Sequence, residues 1–212
     1  LRSAQLGKKV ALIEEDKLGG TCLHRGCIPT KALLHAAEVA DSTRESELFG
    51  VQATLQGIDM AGVNKYKDGV VSRLYKGLQG LVKSRDITYV TGTGRLVGKD
   101  AVEVDGQTYR GRAVVLATGS FARSLPGLDI GGRIITSDQA LQLDFVPKSA
   151  IVLGGGVIGV EFASVWTSFG AEVTIVEALP RLVPAEDEAC SKALERAFRK
   201  RKIAFHTGVR FS

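Results

Sequence analysis

The chain has 212 residues, 44% of them hydrophobic, enough for one or two modest cores. No apolar run approaches the length of a membrane span and no signal peptide is read at its start, so a cytoplasmic location with no membrane partner is expected. The net charge of +5 is moderate, and its densest cluster, Arg196, Arg199, Lys200, Arg201 and Lys202, closes a predicted helix, where cations complement the dipole and stay solvated. With no aromatic interleaving in that cluster, no nucleic-acid partner is expected.

In chain order, Ala4–Glu14 reads as a helix end, a stop at Gly7, an apolar strand Val10–Ile13 and a terminal carboxylate, Glu14. The stretch Gly19-Gly20-Thr21-Cys22-Leu23-His24-Arg25-Gly26-Cys27-Ile28-Pro29-Thr30-Lys31 is the most informative of the sequence. A cysteine pair in a protein with no export signal points to catalysis or metal binding rather than to a structural staple. Two sulfurs that cycle through a disulfide must approach without dragging the backbone. Five positions apart on a regular helix they are poorly placed, so the first turn is expected to be distorted, with Gly26 giving freedom just before the second sulfur and Pro29 stiffness just after it. Cys22, His24 and Cys27 also offer three zinc-type ligands, but closed zinc sites want four and a tighter cysteine spacing. Arg25 is a candidate cation to favour a thiolate.

Asp59 is an expected N-cap for a long helix, with Met60, Val63, Tyr66, Val70, Leu74, Leu78 and Leu81 on one face. Gly62, Gly69, Gly77 and Gly80 weaken that helix and are expected to permit close packing on a neighbour. Ile87–Leu96, Ala101–Val104 and Gln107–Tyr109 read as strands with a turn at Asp105-Gly106. Ala113–Ala117 reads as a buried strand leading into Thr118-Gly119-Ser120, and Asp144–Lys148 as a linker.

The strand Ala150–Leu153 is followed by Gly154-Gly155-Gly156-Val157-Ile158-Gly159 and a helix, Val160–Phe169. Next come a stop at Gly170, a strand Val173–Val176 and Glu177. A G-x-G-x-x-G loop between strand and helix, with an acid at this distance, is the pattern of a dinucleotide-binding unit. Gly154 serves the tight turn, Gly156 the approach of the pyrophosphate, and Gly159 the closure of helix on strand; the helix N-terminus faces the phosphates. Glu177 accepts ribose hydroxyls and repels a 2′-phosphate, favouring NAD over NADP, a preference that Arg181 is close enough to soften. This unit repeats Ala4–Glu14 at a constant offset of 163 residues (177 − 14). Cys190 lies in an amphipathic helix and is expected to be a packed small hydrophobe.

The string from Gly19 to Lys31 resembles the redox-disulfide motif of the flavoprotein disulfide reductases, and its Ile-Pro-Thr-Lys ending followed by Ala32-Leu33-Leu34-His35 is most similar to that of dihydrolipoamide dehydrogenases. Members often carry Asn where this chain has His24. The resemblance implies an α/β fold of two Rossmann-like dinucleotide-binding units, FAD in residues 1–146 and NAD in residues 147–212. Both units are incomplete, because the N-terminal FAD glycine loop and the C-terminal interface domain fall outside the chain. It implies that Cys22 exchanges with substrate and that Cys27 lies against the flavin. Glu14, Gly20, Thr21, Lys31, Gly94, Thr118, Gly119 and Ser120 are then FAD residues, and Gly154, Gly155, Gly156, Val157, Ile158, Gly159, Glu161 and Glu177 NAD residues, with Lys31 and Glu161 near the reacting rings. The implied reaction is oxidation of dihydrolipoamide through the disulfide and FAD to NAD+. The implied partner is the lipoyl domain of a 2-oxoacid dehydrogenase or glycine cleavage complex, and the implied parent a homodimer. The family's base, a histidine oriented by a glutamate, belongs to the interface domain, and His24, His35 and His206 do not match it. The alternatives are a glutathione- or mercuric-type reductase, or a catalytically dead nucleotide-binding fragment.

Overall fold

A computed structural model describes residues 1–210. The chain forms two compact units, one of Leu1–Ile28 with Gly69–Asp129, the other of Pro29–Asp68 with the chain from Ile130 onward. No described helix is long and apolar enough to cross a membrane.

In the first unit a short helix α1 (Arg2–Gln5) ends at Gly7, whose φ of +72° is the left-handed stop read from the sequence. Strand β1 (Ala11–Glu14) follows and pairs in parallel with β2 (Thr88–Thr91), Glu14 opposite Thr91. Helix α2 (Gly20–Arg25) and the start of α3 (Cys27–Arg44) come between them in the chain. The small core of this unit is Leu18, Val82 and Ile87, flanked by Ala4, Val10, Leu12, Tyr75 and Leu78. Strands β3 (Arg95–Gly98), β4 (Ala101–Val104) and β5 (Gln107–Arg110) form an antiparallel sheet. Asp105 and Gly106, at φ +49° and +80°, make the turn expected of an Asp-Gly pair. Ala113–Ala117 is not a strand: it runs as irregular chain, with Val115 84% and Leu116 68% exposed. It joins neither edge of the β1–β2 sheet, which holds these two strands alone among the described residues.

Asp59 caps helix α4 (Met60–Ser84), its carboxylate accepting from the Ala61 amide at 3.1 Å. The buried positions differ from the expected stripe. Met60, Lys67 and Val82 are buried, whereas Tyr66, Leu74 and Leu81 are exposed. Lys67 is held by the Leu141 carbonyl and Asp68, so an amphipathic lysine replaces Tyr66 on the inner face. The glycines also depart from expectation. A Cβ at Gly69, Gly77 or Gly80 would meet nothing within 4 Å, so these glycines serve no close contact with a neighbour.

The second unit is built on a parallel sheet, β6 (Ser149–Leu153), β7 (Glu172–Glu177) and β8 (Ala204–Thr207), with β7 in the middle. Helices α6 (Val157–Phe169) and α7 (Glu188–Lys200) supply Val160, Phe162, Ala163, Val165, Trp166 and Phe198 to the main core, which also takes Leu33, Met60 and Leu141, the last beside the short helix α5 (Ser137–Ala140). Gly170 ends α6 at φ +105°. The apolar strand β6 is not buried on both faces, since Ile151 is 72% and Leu153 39% exposed. Asp144–Lys148 forms no regular element before β6, but it lies within the second unit rather than between the two, with Val146 packed against the main core. Cys190 is exposed rather than packed, because it falls on the outer side of the first turn of α7. The basic cluster at the end of α7 is only partly solvated. Arg201 donates to Ser164, Ser168 and Asp41, a tertiary tie for which the sequence carried no signal.

Candidate functional site

In the first unit the two cysteines are separated by a break in the helix. α2 ends at Arg25, Gly26 adopts φ −146° and ψ −112°, and α3 starts at Cys27. A Cβ at Gly26 would lie 3.1 Å from the Thr21 carbonyl oxygen, so the break is made at a residue without a side chain. Cys22 and Cys27 are both exposed. Gly19, at φ +110°, enters α2 over Leu23, where a Cβ would come within 2.4 Å of the Leu23 side chain. Gly20, at φ +58°, faces open space.

Around the dithiol, the Thr21 hydroxyl donates to the Ser120 carbonyl at 3.4 Å. Gly119, at φ +78°, lies beside the same hydroxyl, so Gly20-Thr21 and Thr118-Gly119-Ser120 come together in space. Glu14 accepts the Asp16 amide at 3.1 Å. A Cβ at Gly94 would press on Ile13 at 3.1 Å and Val102 at 3.2 Å, which fixes the loop between β2 and β3 closely over β1. His24 Nε2 lies 2.8 Å from the Leu18 carbonyl and its ring meets Tyr75 edge-on. Arg25 pairs with Asp16, so its guanidinium is engaged by a carboxylate.

In the second unit each glycine of the loop does a different job. Gly154, at φ +106°, makes a turn that L side chains resist. Gly155 is buried, and a Cβ there would come within 2.6 Å of Leu182. Gly156 caps α6 and has nothing within 4 Å of its Cβ position. At Gly159 a Cβ would sit 2.0 Å from the Gly154 oxygen, so only glycine lets helix and strand meet. Val157 and Ile158 are exposed at the start of α6. Glu177 is 8% exposed, its carboxylate taking the Gly155 amide at 2.6 Å and the Leu179 amide at 2.7 Å. A carboxylate offers about four lone-pair sites, so two amides leave capacity for hydroxyl donors. Lys31 and Glu161 are joined by an ion pair at 2.5 Å. Arg181 turns its guanidinium to Pro184, Glu186 and Ser191. Leu182, Val183, Ser191 and Glu195 complete the surroundings of the loop, and sequence spacing carried no signal for them.

The whole chain, residues 1–212, matches the family model described as pyridine nucleotide-disulphide oxidoreductase. The chain belongs to this family. Among curated oxidoreductases it is 42% identical to a dihydrolipoyl dehydrogenase of Bacillus subtilis over 99% of its length, covering 47% of that protein. It is 41% identical to a mitochondrial dihydrolipoyl dehydrogenase of Dictyostelium discoideum over 97% of its length, covering 44% of that protein. The crystal structure of LpdA from Mycobacterium tuberculosis superposes with a TM-score of 0.82 at 25% identity, over 99% of this chain and 47% of that one. The flavoprotein disulfide reductase RclA of Escherichia coli superposes at 0.75 with 29% identity, over 99% and 46% of the two chains. The chain thus spans about half the length of the relatives it matches, and its Rossmann-like α/β architecture is theirs.

Proposed function

We propose that this chain is the FAD- and NAD-handling part of a dihydrolipoamide dehydrogenase, with residues 1–146 serving FAD and residues 147–212 serving NAD. The observation that carries the reading is the interruption at Gly26, which frees Cys22 and Cys27 from regular helical spacing within the matched motif. Open space at Gly20 and Gly156 fits two phosphate-bearing cofactors, since a Cβ would meet nothing at either position.

In this reading a substrate thiolate attacks Cys22 Sγ of the Cys22–Cys27 disulfide, forming a mixed disulfide and releasing Cys27 as thiolate. The second substrate thiol then attacks its own sulfur in that mixed disulfide, giving the cyclic disulfide product and releasing Cys22 as thiolate, with two protons leaving. FAD, when bound, would supply the two-electron acceptor for the dithiol, with NAD+ as the final acceptor of the electrons. Gly20, Thr21, Gly94 and Thr118–Ser120, with Glu14 at the ribose end, would hold the flavin cofactor. Gly154–Gly159 and Glu177 would hold NAD+, and Glu161 would orient the Lys31 ammonium for the redox site. The parent protein is a cytoplasmic homodimer, with a lipoyl domain as its partner.

The test is the absorbance spectrum of a full-length protein carrying this chain. Bound oxidised flavin that gains a long-wavelength charge-transfer band on dithiol reduction, with NADH formed from dihydrolipoamide, supports the reading. Colourless protein, or turnover of glutathione disulfide with no turnover of dihydrolipoamide, overturns it.

A further inference from the structure

Val183 is a buried β-branched residue held at φ +43°, in the left-handed region that such residues rarely enter. Strain of this kind persists only where the neighbours over-determine the backbone. Here they do. The Val183 amide donates to the Gly155 carbonyl at 2.7 Å, and the Val183 carbonyl accepts from the Glu186 amide at 3.0 Å. The preceding residue, Leu182, is fully buried against Gly155, its amide 3.3 Å from Glu195 Oε1 and its carbonyl taking the Ser191 hydroxyl at 2.7 Å. Ser191, itself 1% exposed, accepts in turn from Arg181 Nη1 at 2.7 Å. Arg181 also donates to the Glu186 carbonyl at 2.8 Å and to the Pro184 carbonyl at 2.9 Å.

The consequence falls on Gly155. Its amide is bound by Glu177 and its carbonyl by Val183, so both of its backbone polar groups are pinned between the β7 carboxylate and the strained turn. We propose that Arg181 and Ser191 are positioning residues of the coenzyme site: through Leu182 and Val183 they lock Gly155, and with it Gly156 and Glu177, in the arrangement that receives the adenosine half of NAD. The guanidinium is spent on loop carbonyls and a buried hydroxyl, so Arg181 does not read a 2′-phosphate. The inference rests on the coenzyme reading given above, and adds to it residues that touch no part of the coenzyme.

The test uses a full-length protein carrying this chain, with Arg181→Met, Arg181→Lys and Ser191→Ala. NADH affinity is measured by fluorescence titration, and steady-state kinetics by dihydrolipoamide oxidation with NAD+ and with NADP+. Both Arg181→Met and Ser191→Ala are expected to weaken NADH binding and raise the KM for NAD+ roughly tenfold, the loss of a charge-assisted hydrogen bond. At saturating NAD+ kcat stays within about twofold, as expected when only uniform binding is lost. Flavin content and the charge-transfer band are unchanged, and kcat/KM for NADP+ falls in parallel with that for NAD+. Unaltered NADH affinity, or loss confined to NADP+, overturns the proposal. If Arg181→Met loses its flavin through misfolding, Ser191→Ala, which removes a single oxygen, decides the matter on its own. A wild-type protein that binds NADH without oxidising dihydrolipoamide overturns the proposed activity and leaves the positioning role to be decided by the titration. A wild-type protein that does not bind NADH overturns both.

Discussion

Glu14 and Glu177 end equivalent strands of the two units and fold back in the same way, each accepting the amide two residues further on, from Asp16 at 3.1 Å and from Leu179 at 2.7 Å. The repeat is therefore structural as well as textual. Glu177 also takes a glycine-loop amide, that of Gly155. Its carboxylate thus joins the end of β7 to the loop that opens α6, tying the acid that would meet a ribose to the backbone that would meet a pyrophosphate.

Replacing Glu177 by Ala leaves the Gly155 and Leu179 amides without their acceptor. Stability should fall by about 1.5–3 kcal/mol, the value of hydrogen bonds to a charged group. In a full-length protein the preference for NAD+ over NADP+ should narrow as well, because the carboxylate no longer opposes a 2′-phosphate. Thermal unfolding and the ratio of kcat/KM for the two coenzymes check both statements, and a wild-type preference for NADP+ would contradict the assignment.

Two glycines of one loop separate folding from binding. Gly159→Ala drives a methyl into the Gly154 carbonyl and should destabilise the fold by about 1–3 kcal/mol, as overpacking does. Gly156→Ala meets nothing among the described residues and, losing only the N-cap preference for glycine, should lower the unfolding midpoint less than Gly159→Ala while weakening NADH binding, since the methyl occupies the phosphate approach. Equal melting temperatures for the two variants would show that the close helix–strand contact is not what requires Gly159.

The roles of the two sulfurs are separable in a full-length protein. Cys27→Ser should remove the charge-transfer band, leaving no thiolate beside the flavin, whereas Cys22→Ser should retain the band and lose dihydrolipoamide turnover. Wild-type turnover by either variant contradicts the assignment.

Helix α4 carries removable instability. Gly77 is in the helix interior with open space at its Cβ position, so Gly77→Ala should add up to about 1 kcal/mol through helix propensity alone. A rise in the urea midpoint without a change in slope is the expected result; a fall would mean that this surface is covered in the protein tested.

Features that depend on a few consecutive residues were legible in the sequence. The stops at Gly7 and Gly170, the Asp105-Gly106 turn, the Asp59 cap, the tight turn at Gly154 and the helix–strand closure at Gly159 follow from φ limits and the bulk of one methyl group, which neighbouring residues settle among themselves. The need for a distortion at the cysteines belongs with them as a local backbone matter, whereas its form, one helix ending at Arg25 and another starting at Cys27, came from the structure. What tertiary structure decided concerns long charged side chains and strand edges, whose partners are remote in the chain. Arg25 went to Asp16, Arg201 to Asp41 and two serines, and Lys67 to the Leu141 carbonyl. Arg181 was turned onto Ser191 on a following helix, and Val183 was forced into a backbone region that its own side chain disfavours. Ala113–Ala117 has the composition of a strand and pairs with no other strand among the described residues. A flexible cation selects whichever carboxylate or carbonyl the fold brings within hydrogen-bond reach, and a strand exists only where another strand's amides and carbonyls face it. Both conditions are met or refused by residues far away in sequence.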